Sequence, residues 1–258
     1  MNDTILLTGA ASGITRATAR LFHRHGWRLA LLDQDAAALQ DVAAELRDAD
    51  GRPAWHQAVD VTDNDAVVAA VNAAGEALGT LRVLFNGAGI LRVGPFEDIP
   101  LAVHRRLIDI NVIGLMQVTL AALPWLQRAE RPVVVNMSSA SAVYGIPHFA
   151  SYSASKFAVR ALTESLQIEW ERHGIHVCDI MPPFVRTPMV DEQSWQPPVI
   201  RRLGVNLEAE DVAAAAFEAV RSAKVHHPVS APFKALVWME KLAPRDITRR
   251  MIRWLSRD

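Results

Sequence analysis

Short apolar runs that alternate with helix-like stretches constrain the fold of this chain more than any other feature. Six runs have the character of strands, and they cover residues 4–7, 28–32, 54–60, 83–86, 133–138 and 175–181. Five stretches between them have helical character, and they cover residues 14–25, 35–48, 63–78, 101–127 and 151–172. Apolar strands with helices between them predict a parallel sheet that is covered on both faces. The expected fold class is therefore α/β, a doubly wound, Rossmann-like parallel sheet in a three-layer α/β/α sandwich.

Composition excludes several classes of protein. The 258 residues suit a single α/β domain, and a formal net charge of −1 has no basic excess that would indicate a nucleic-acid partner. Cys178 lies in an apolar run and is expected to be buried. One cysteine excludes an internal disulfide framework, which fits a reducing compartment. Residues 1–7 lack the basic flank and long apolar stretch of a signal peptide, and no uncharged apolar run reaches membrane-spanning length, so we expect a cytoplasmic protein.

Tyr152 and Lys156 are the most informative pair of residues for chemistry. Their spacing of four residues places them on one face of a predicted helix. A free tyrosine has a pKa of roughly 10. A nearby ammonium group favours the phenolate and so lowers this pKa. The pair is therefore predicted to act in general acid–base catalysis, with the alternative of an ordinary amphipathic helix. Ser139, thirteen residues before Tyr152, is the third member of the pattern.

A glycine-rich turn follows the first predicted strand and opens a helical stretch. Its residues are Gly9, Ser12, Gly13 and Ile14, and small residues here let the backbone approach a pyrophosphate. Asp33 ends the second predicted strand, where a carboxylate accepts hydrogen bonds from a ribose and repels a 2′-phosphate. This favours NAD over NADP as the cofactor.

Polar and small residues also follow the third and fourth predicted strands. Asp60 is expected to receive the adenine amino group, and the alternative is a helix N-cap at Asp60, Thr62 or Asp63. Asn86, Gly87 and Ala88 are expected to let the cofactor pass closely. For Asn86, a structural role between strand ends stays open beside direct contact with the cofactor.

The order of these motifs resembles the short-chain dehydrogenase/reductase family in its shorter, single-domain branch. The motifs are Thr8-Gly9-x-x-x-Gly13, Asp60, Asn86-Gly87-Ala88-Gly89, Asn111, Ser139, Tyr152 and Lys156. The resemblance covers about residues 4–190 and implies that residues 1–258 form one dinucleotide-binding catalytic domain. It also implies a homodimer or homotetramer, formed through the helices that contain Asn111 and Tyr152.

The resemblance assigns a role to each site residue. It makes Tyr152 the general acid/base, and Lys156 the group that lowers its pKa and binds the nicotinamide ribose. Ser139 binds the substrate oxygen, and Asn111 holds a water for proton relay, with helix bending or capping as the alternative for Asn111. Further cofactor contacts are implied at Val61, Pro182, Val185 and Thr187.

Two residues depart from the family pattern. Thr15 stands where the family usually has a third glycine, and its β-branched side chain is expected to crowd the cofactor or the helix–strand contact. Pro183 replaces the glycine that usually follows Pro182, which stiffens the backbone there.

The substrate region is predicted to be apolar. Val143, Tyr144, Phe149 and Phe184 are expected to line a pocket for a hydrophobic substrate, beneath a substrate loop at about residues 184–207. The alternative is that these side chains only pack the loop against the core.

Residues 232–258 form a predicted C-terminal helical extension, broken at Pro244, in which apolar and basic residues alternate. Packing over the pocket or against another subunit is favoured over contact with a membrane surface.

Together these features predict a metal-independent oxidoreductase that transfers a hydride between NAD(H) and a hydrophobic secondary alcohol or ketone. No His/Cys cluster has the spacing of a zinc site, so no metal is expected. The alternatives are an NADPH-dependent carbonyl reductase and a non-catalytic dinucleotide-binding regulator.

Overall fold

The fold is built on one parallel sheet of seven strands. A computed structural model describes residues 3–193, 195, 197–242, 250, 252–254 and 256, with only the backbone for residues 240–242. The strand order is β3-β2-β1-β4-β5-β6-β7, and every neighbouring pair is parallel. The strands are β1 Thr4–Thr8, β2 Arg28–Asp33, β3 Trp55–Ala58, β4 Val83–Asn86, β5 Val133–Met137, β6 His176–Met181 and β7 His226–Pro228.

Helices cover both faces of the sheet. They are α1 Gly13–Arg24, α2 Ala36–Glu45, α3 Asn64–Leu78, α4 Leu101–Ile108, α5 Leu115–Leu126, α6 Ala150–Glu169, α7 Pro188–Asp191, α8 Pro198–Leu203, α9 Ala209–Ala219 and α10 Ala231–Leu242. On one face, α1, α2 and α9 pack against Ile5 and Leu7 of β1. On the other face, α3, α5 and α6 pack around Leu6. The predicted three-layer α/β/α fold is confirmed. Successive residues of β1 face opposite sides of the sheet, and both sides are covered, so the strand is a continuous apolar run in the sequence.

The topology creates a crevice where strand order reverses. β1 lies between β2 and β4, so the chain turns one way from β1 to β3 and the other way from β4 onward. In doubly wound sheets, ligands bind at this point, outside the carboxyl ends of the strands. The residues that follow β1, β2, β4 and β5 therefore converge on one region.

Several predicted boundaries need correction. The third strand ends at Ala58, so Asp60 lies in the following turn rather than at the strand end. The second helix ends at Glu45. β7 is a strand that the sequence does not predict, because it is only three residues long and reads His-His-Pro.

The helical stretch 101–127 contains an irregular turn. Residues Asp109–Gly114 are π-helical and join α4 to α5. The whole helix Leu101–Leu126 is long and apolar enough to cross a membrane by length and composition, but half of its most apolar window is buried inside the protein. Core helices of soluble proteins pass the same test, and α5 packs in the core with α3.

The C-terminal third completes the wall of the crevice. Val185 and Leu207 form a parallel bridge, which ties together the two ends of the predicted substrate loop. α10 then follows β7 and packs Phe233 against Met181 of β6. The predicted break at Pro244 and most of the alternating pattern after it lie outside the described residues.

Candidate active site

A cavity of about 430 Å³ lies at the carboxyl ends of the strands. At one end it is lined by the glycine-rich turn after β1 and by Asp33. At the other end it is lined by Ser139, Tyr152 and Lys156. The structure therefore joins in one space the motifs that are separated by up to 147 positions along the chain, from Gly9 to Lys156.

The turn after β1 is shaped by close backbone approach. Gly9 has φ +71°, and a Cβ atom there would lie 2.9 Å from the backbone of Ala88. The Thr8 hydroxyl accepts hydrogen bonds from the amides of Gly87 and Ala88, at 3.1 and 3.2 Å. Only glycine fits position 9, because a side chain would have both a strained φ and a backbone clash. Ser12, Gly13 and Ile14 line the cavity at the start of α1, as a phosphate-binding turn requires.

Asp33 is held in place by backbone amides. Its Oδ2 accepts from the Ala11 amide at 2.9 Å, and its Oδ1 accepts from the Asp35 amide at 3.0 Å. The side chain is half-buried and lines the cavity at the far end from Tyr152. The structure therefore holds this carboxylate in a fixed position on the cavity wall.

Asp60 and Val61 line the same end of the cavity. Asp60 Oδ1 accepts from the amide and the hydroxyl of Thr62, at 2.9 and 2.8 Å. The amide of Thr62 is the main cause that lowers the pKa of Asp60, and Arg106 at 3.7 Å adds to it. The helix N-cap is Asp63, whose side chain accepts from the Ala66 amide, so the capping carboxylate and the carboxylate that lines the cavity belong to different residues.

Asn86 does not line the cavity, in contrast to the predicted cofactor contact. Its side-chain amide donates to Thr119 Oγ1 and to Asn136 Oδ1, both at 2.9 Å. Asn136 in turn donates to Thr163 Oγ1 at 3.0 Å. The side chain points sideways across the strand ends because Asn86 and Asn136 are register partners in β4 and β5. The geometry therefore supports the alternative role for Asn86, in which its side chain joins neighbouring strand ends. Gly87 and Ala88 line the cavity, as predicted.

Tyr152 and Lys156 lie on the cavity-facing side of α6. Lys156 Nζ donates to the carbonyl of Met137 at 2.7 Å and lies 5.6 Å from the centre of the Tyr152 ring. Ser139 follows β5, and its side chain hydrogen-bonds the Tyr152 hydroxyl. Its Oγ also accepts from the Ser141 amide at 3.1 Å. Ser138 instead directs its hydroxyl to the Lys156 carbonyl, so geometry distinguishes the two adjacent serines.

Burial dominates the pKa values of this pair. Burial raises the pKa of Tyr152 to about 12, and the hydrogen bond with Ser139 opposes that change. Burial also lowers the pKa of Lys156 to about 8. The expected lowering of the Tyr152 pKa by Lys156 is therefore not seen in this structure, where burial and the hydrogen bond with Ser139 are the causes that act on Tyr152. Tyr152 lines the cavity. A molecule bound in the cavity would therefore change the surroundings of the Tyr152 hydroxyl and so its pKa.

Asn111 lies in the π-helical turn and contacts Ser155, the residue before Lys156. Its side chain accepts from the Ile90 amide at 2.8 Å and donates to the Ile90 carbonyl and Ser155 Oγ, at 3.0 and 3.1 Å. The asparagine thus fixes the chain after β4 against α6. The helix-bending alternative fits its position, and Asn111 does not itself line the cavity.

The two departures from the family pattern both lie on the cavity wall. Thr15 is buried with its hydroxyl against Gly87, where a Cβ atom would come within 2.1 Å of it. Its side chain fills the contact between α1 and the end of β4. Pro182, Pro183, Val185 and Thr187 line the cavity beyond β6, and the Pro182 carbonyl accepts from the Ala140 amide at 2.9 Å.

The four residues predicted for the substrate pocket all line the cavity near Tyr152: Val143, Tyr144, Phe149 and Phe184. Further apolar residues line the cavity: the sequence did not single out Leu91, Val199, Leu203 and Phe233, whereas Leu236, Met239 and Ile252 belong to the apolar pattern of the predicted C-terminal extension. Phe233, Leu236 and Met239 belong to α10, and Ile252 follows it. These four residues are placed as we expect if the C-terminal extension packs over the pocket. Apolar residues at positions 233, 236 and 239 recur at helical spacing, and this pattern in the sequence indicates one apolar helix face.

Comparisons with known proteins agree with this arrangement. A family model described as short chain dehydrogenase matches residues 3–197. A 3-alpha-(or 20-beta)-hydroxysteroid dehydrogenase from Mycobacterium tuberculosis is 36% identical over 210 residues, 80% of this chain and 77% of that protein. A cis-4-hydroxycyclohexanecarboxylate dehydrogenase from Sinomonas cyclohexanicum is 38% identical over 186 residues, 72% of this chain and 74% of that protein.

Solved structures show the same fold with cofactor present. A short-chain dehydrogenase/reductase from Burkholderia phymatum in complex with NAD has a TM-score of 0.82 and 28% identity, with 92% of both chains covered. A 3-ketoacyl-(acyl-carrier-protein) reductase from Brucella melitensis complexed with NADH has a TM-score of 0.78 and 27% identity, with 88% of this chain and 96% of that chain covered. Fold, site geometry and relatives therefore agree that this chain belongs to the short-chain dehydrogenase/reductase family of nicotinamide-dependent oxidoreductases.

Proposed function

We propose that this protein transfers a hydride between NAD(H) and a hydrophobic secondary alcohol or ketone, without a metal, and that Tyr152 is the general acid/base. The observation that carries the proposal is the single cavity that joins a fixed Asp33 carboxylate at one end to Ser139, Tyr152 and Lys156 at the other. The NAD and NADH complexes of structural neighbours support the same cofactor class.

The residues present fit a nicotinamide dinucleotide. Gly9, whose place no side chain can take, and the start of α1 suit the pyrophosphate. Asp33 suits the adenosine ribose, and Thr187 and Val185 lie on the wall near Tyr152. The bound dinucleotide would supply the hydride chemistry, while the protein supplies position and electrostatics.

The proton chemistry belongs to the protein's own residues. Tyr152 exchanges a proton with the substrate oxygen, and the Ser139 hydroxyl donates to the same oxygen and stabilises charge that develops there. Lys156 Nζ lies 5.6 Å from the centre of the Tyr152 ring, and in its protonated form it would offset part of the effect of burial on the Tyr152 pKa. Two hydroxyl groups thus polarise the oxygen, which is the task that a metal ion performs in other alcohol dehydrogenases.

The substrate end of the cavity favours an apolar molecule. Beyond Ser139, Tyr152 and Lys156, the polar side chains that line this end, among the described residues, are Ser138, Ser141, Tyr144 and Thr187. Ser141 is almost fully buried. An apolar substrate gains about 25 cal/mol for each Å² removed from water, whereas a sugar would leave several hydroxyl groups without partners. The dehydrogenases of hydroxysteroid and hydroxycyclohexanecarboxylate substrates among the relatives support a cyclic secondary alcohol.

The test is a turnover screen with NAD and NADP in parallel. The substrates are cyclic and open-chain secondary alcohols of rising apolar area, with sugar alcohols as the polar comparison. We expect kcat/KM to rise with apolar area and to be higher with NAD. Turnover confined to sugar alcohols would contradict the apolar substrate, and a preference for NADP would favour an NADPH-dependent carbonyl reductase instead.

A further inference from the structure

We propose that the mouth of the cavity is a docking surface for an anionic lipid membrane. The surface, here called the rim, consists of Trp195, Leu203, Trp238, Met239 and Trp254. This inference goes beyond the proposed oxidoreductase activity, and it rests on exposure, continuity with the cavity and charge.

The rim carries an unusual amount of exposed aromatic surface. Trp238 is 70% exposed and Trp254 is 63% exposed, and Trp195 is exposed as well. Large apolar side chains on an aqueous surface indicate an interaction site when they are contiguous. Tryptophan is also the residue type that is enriched at membrane–water interfaces, where its ring lies at the level of the headgroups.

Contacts and sequence position connect these side chains to the cavity wall. Leu203 and Met239 are exposed and at the same time line the cavity, so the apolar surface continues from outside to inside. Trp254 follows two residues after Ile252, which also lines the cavity, and Arg202 of α8 lies 5.2 Å from the centre of the Trp254 ring. Trp195 contacts His148 with ring centres 4.8 Å apart, next to the lining residue Phe149. An apolar molecule could therefore pass from a bilayer into the cavity without crossing water.

The charge around the rim complements an anionic surface. Residues 232–258 hold seven basic and three acidic residues, although the whole chain has a net charge of −1. Exposed cations near the rim are Lys234, Arg202, Arg250 and Arg253. Among the described residues, Asp191, Glu192 and Glu208 are exposed acids close in sequence to Trp195 and Leu203, and the four cations outnumber them. Each basic residue near an anionic lipid surface contributes to binding, and the effect falls with rising salt.

The same charge disfavours a second copy of this chain as the occupant. A two-fold contact places the same patch on both subunits, so arginine-rich segments would face each other across the interface. Like charges in that position oppose association. The membrane is therefore the partner that satisfies both the aromatic and the cationic features of the rim.

Vesicle co-sedimentation of the full-length protein, without cofactor or substrate, tests this inference. The vesicles are phosphatidylcholine alone and phosphatidylcholine with phosphatidylglycerol. We expect binding to the anionic vesicles that weakens as salt rises, and quenching of tryptophan fluorescence by brominated lipid. Trp238→Ala with Arg253→Glu is expected to weaken binding by at least about tenfold. The control is Leu101→Ala, which removes an equally exposed apolar side chain at the start of α4 and should leave binding unchanged.

Two outcomes would overturn the inference. One is absence of binding to anionic vesicles at low salt, or equal binding by the rim variant and the control. The other is self-association that the rim variant abolishes, which would make a second copy the occupant. NADH binding by the rim variant is measured in parallel. Loss of vesicle binding with NADH binding intact concerns the membrane contact alone and leaves the proposed activity untouched.

Discussion

Asp33 is the residue on which the proposed preference for NAD over NADP rests. Its carboxylate is fixed by the amides of Ala11 and Asp35, so it cannot turn away from an incoming phosphate. A carboxylate placed against a phosphate costs binding energy because the charges have the same sign. We therefore propose that the preference for NAD over NADP is set by this one side chain rather than by the shape of the whole cavity.

Replacing Asp33 tests this point. We expect Asp33→Ser to reduce the preference for NADH over NADPH by about tenfold or more, because the repulsion is removed. Fluorescence titration with both cofactors measures the two dissociation constants. Asp35→Ser is the matched control: it removes the same charge, and serine still caps α2 in place of the Asp35 side chain. An unchanged ratio in Asp33→Ser would show that another group selects the cofactor.

At the scale of single elements, the close packing of α3 against α5 depends on Gly75. A Cβ atom on Gly75 of α3 would lie 2.2 Å from the Trp125 ring of α5. That ring cannot easily shift, because Trp125 Nε1 donates to Asn72 Oδ1 at 2.9 Å. The glycine thus sets the distance between two helices on the face of the sheet that carries α6.

Gly75→Ala is therefore expected to destabilise the protein. Overpacking of this kind costs about 1–3 kcal/mol, and a contact of 2.2 Å with an aromatic ring calls for the upper part of that range. Alanine favours a helix over glycine by roughly 1 kcal/mol, so we expect a net loss of about 1–2 kcal/mol. Thermal and urea unfolding measure the change. Gly145→Ala is the control, since its Cβ atom meets nothing within 4 Å and its φ is not positive. Equal stability of Gly75→Ala and the wild type would contradict the packing seen here.

The edge strand β7 is tied to β6 by a charged cluster. His226 lies opposite Asp179 in register, with Nδ1 3.0 Å from Asp179 Oδ1 and Nε2 3.0 Å from Glu164 Oε1. Arg160 Nε also donates to Glu164 Oε1, at 3.0 Å. The hydrogen bond with Asp179 raises the pKa of His226, and burial raises the pKa of Asp179.

This cluster predicts a pH dependence of stability. The folded pKa of His226 lies above its unfolded value, so its contribution is complete below about pH 6.5 and is lost as pH rises through the folded pKa. His226→Gln should therefore lower the free energy of unfolding by about 1–3 kcal/mol at pH 6 and by less at pH 9. Urea unfolding at both pH values measures this. The same loss at both values would mean that the charge of His226 does not contribute.

The elements differ in how well the sequence predicts them. The first six strands were found because buried strands are long apolar runs, and their boundaries fall close to those observed. β7 was missed because three residues cannot show a period, and only pairing with β6 makes them a strand. Among site residues, Ser139 and Tyr152 were found by type and spacing. The sideways orientation of Asn86 was left open, because it depends on Asn136, fifty positions away.

At the scale of the whole molecule, the described part of the chain leaves apolar side chains of α5 and α6 exposed to solvent. Leu120 of α5 is 67% exposed and Ile168 of α6 is 71% exposed, and Phe157 is exposed as well. The family resemblance predicts a homodimer or homotetramer through these helices. We therefore propose that a second copy of the chain covers this face.

Leu120→Glu tests the proposed assembly. A charge at the centre of an apolar interface is costly to bury, so we expect the variant to shift the protein toward the monomer. Size-exclusion chromatography with light scattering measures the mass of both forms. Lys224→Glu, an exposed charge change before β7, serves as the control. A wild type that is monomeric at all concentrations would contradict the proposed oligomer.

The central claim is that Tyr152 moves the proton in a nicotinamide-dependent reaction, and one paired measurement tests it most directly. NADH binding and turnover on the best apolar alcohol are measured for the wild type and for Tyr152→Phe. The account predicts that kcat falls by about 10²–10⁴-fold, because the acid/base is lost, while the dissociation constant for NADH changes less than about twofold. Substantial turnover by the variant, with NADH binding intact, would contradict the account and assign the proton transfer to another group.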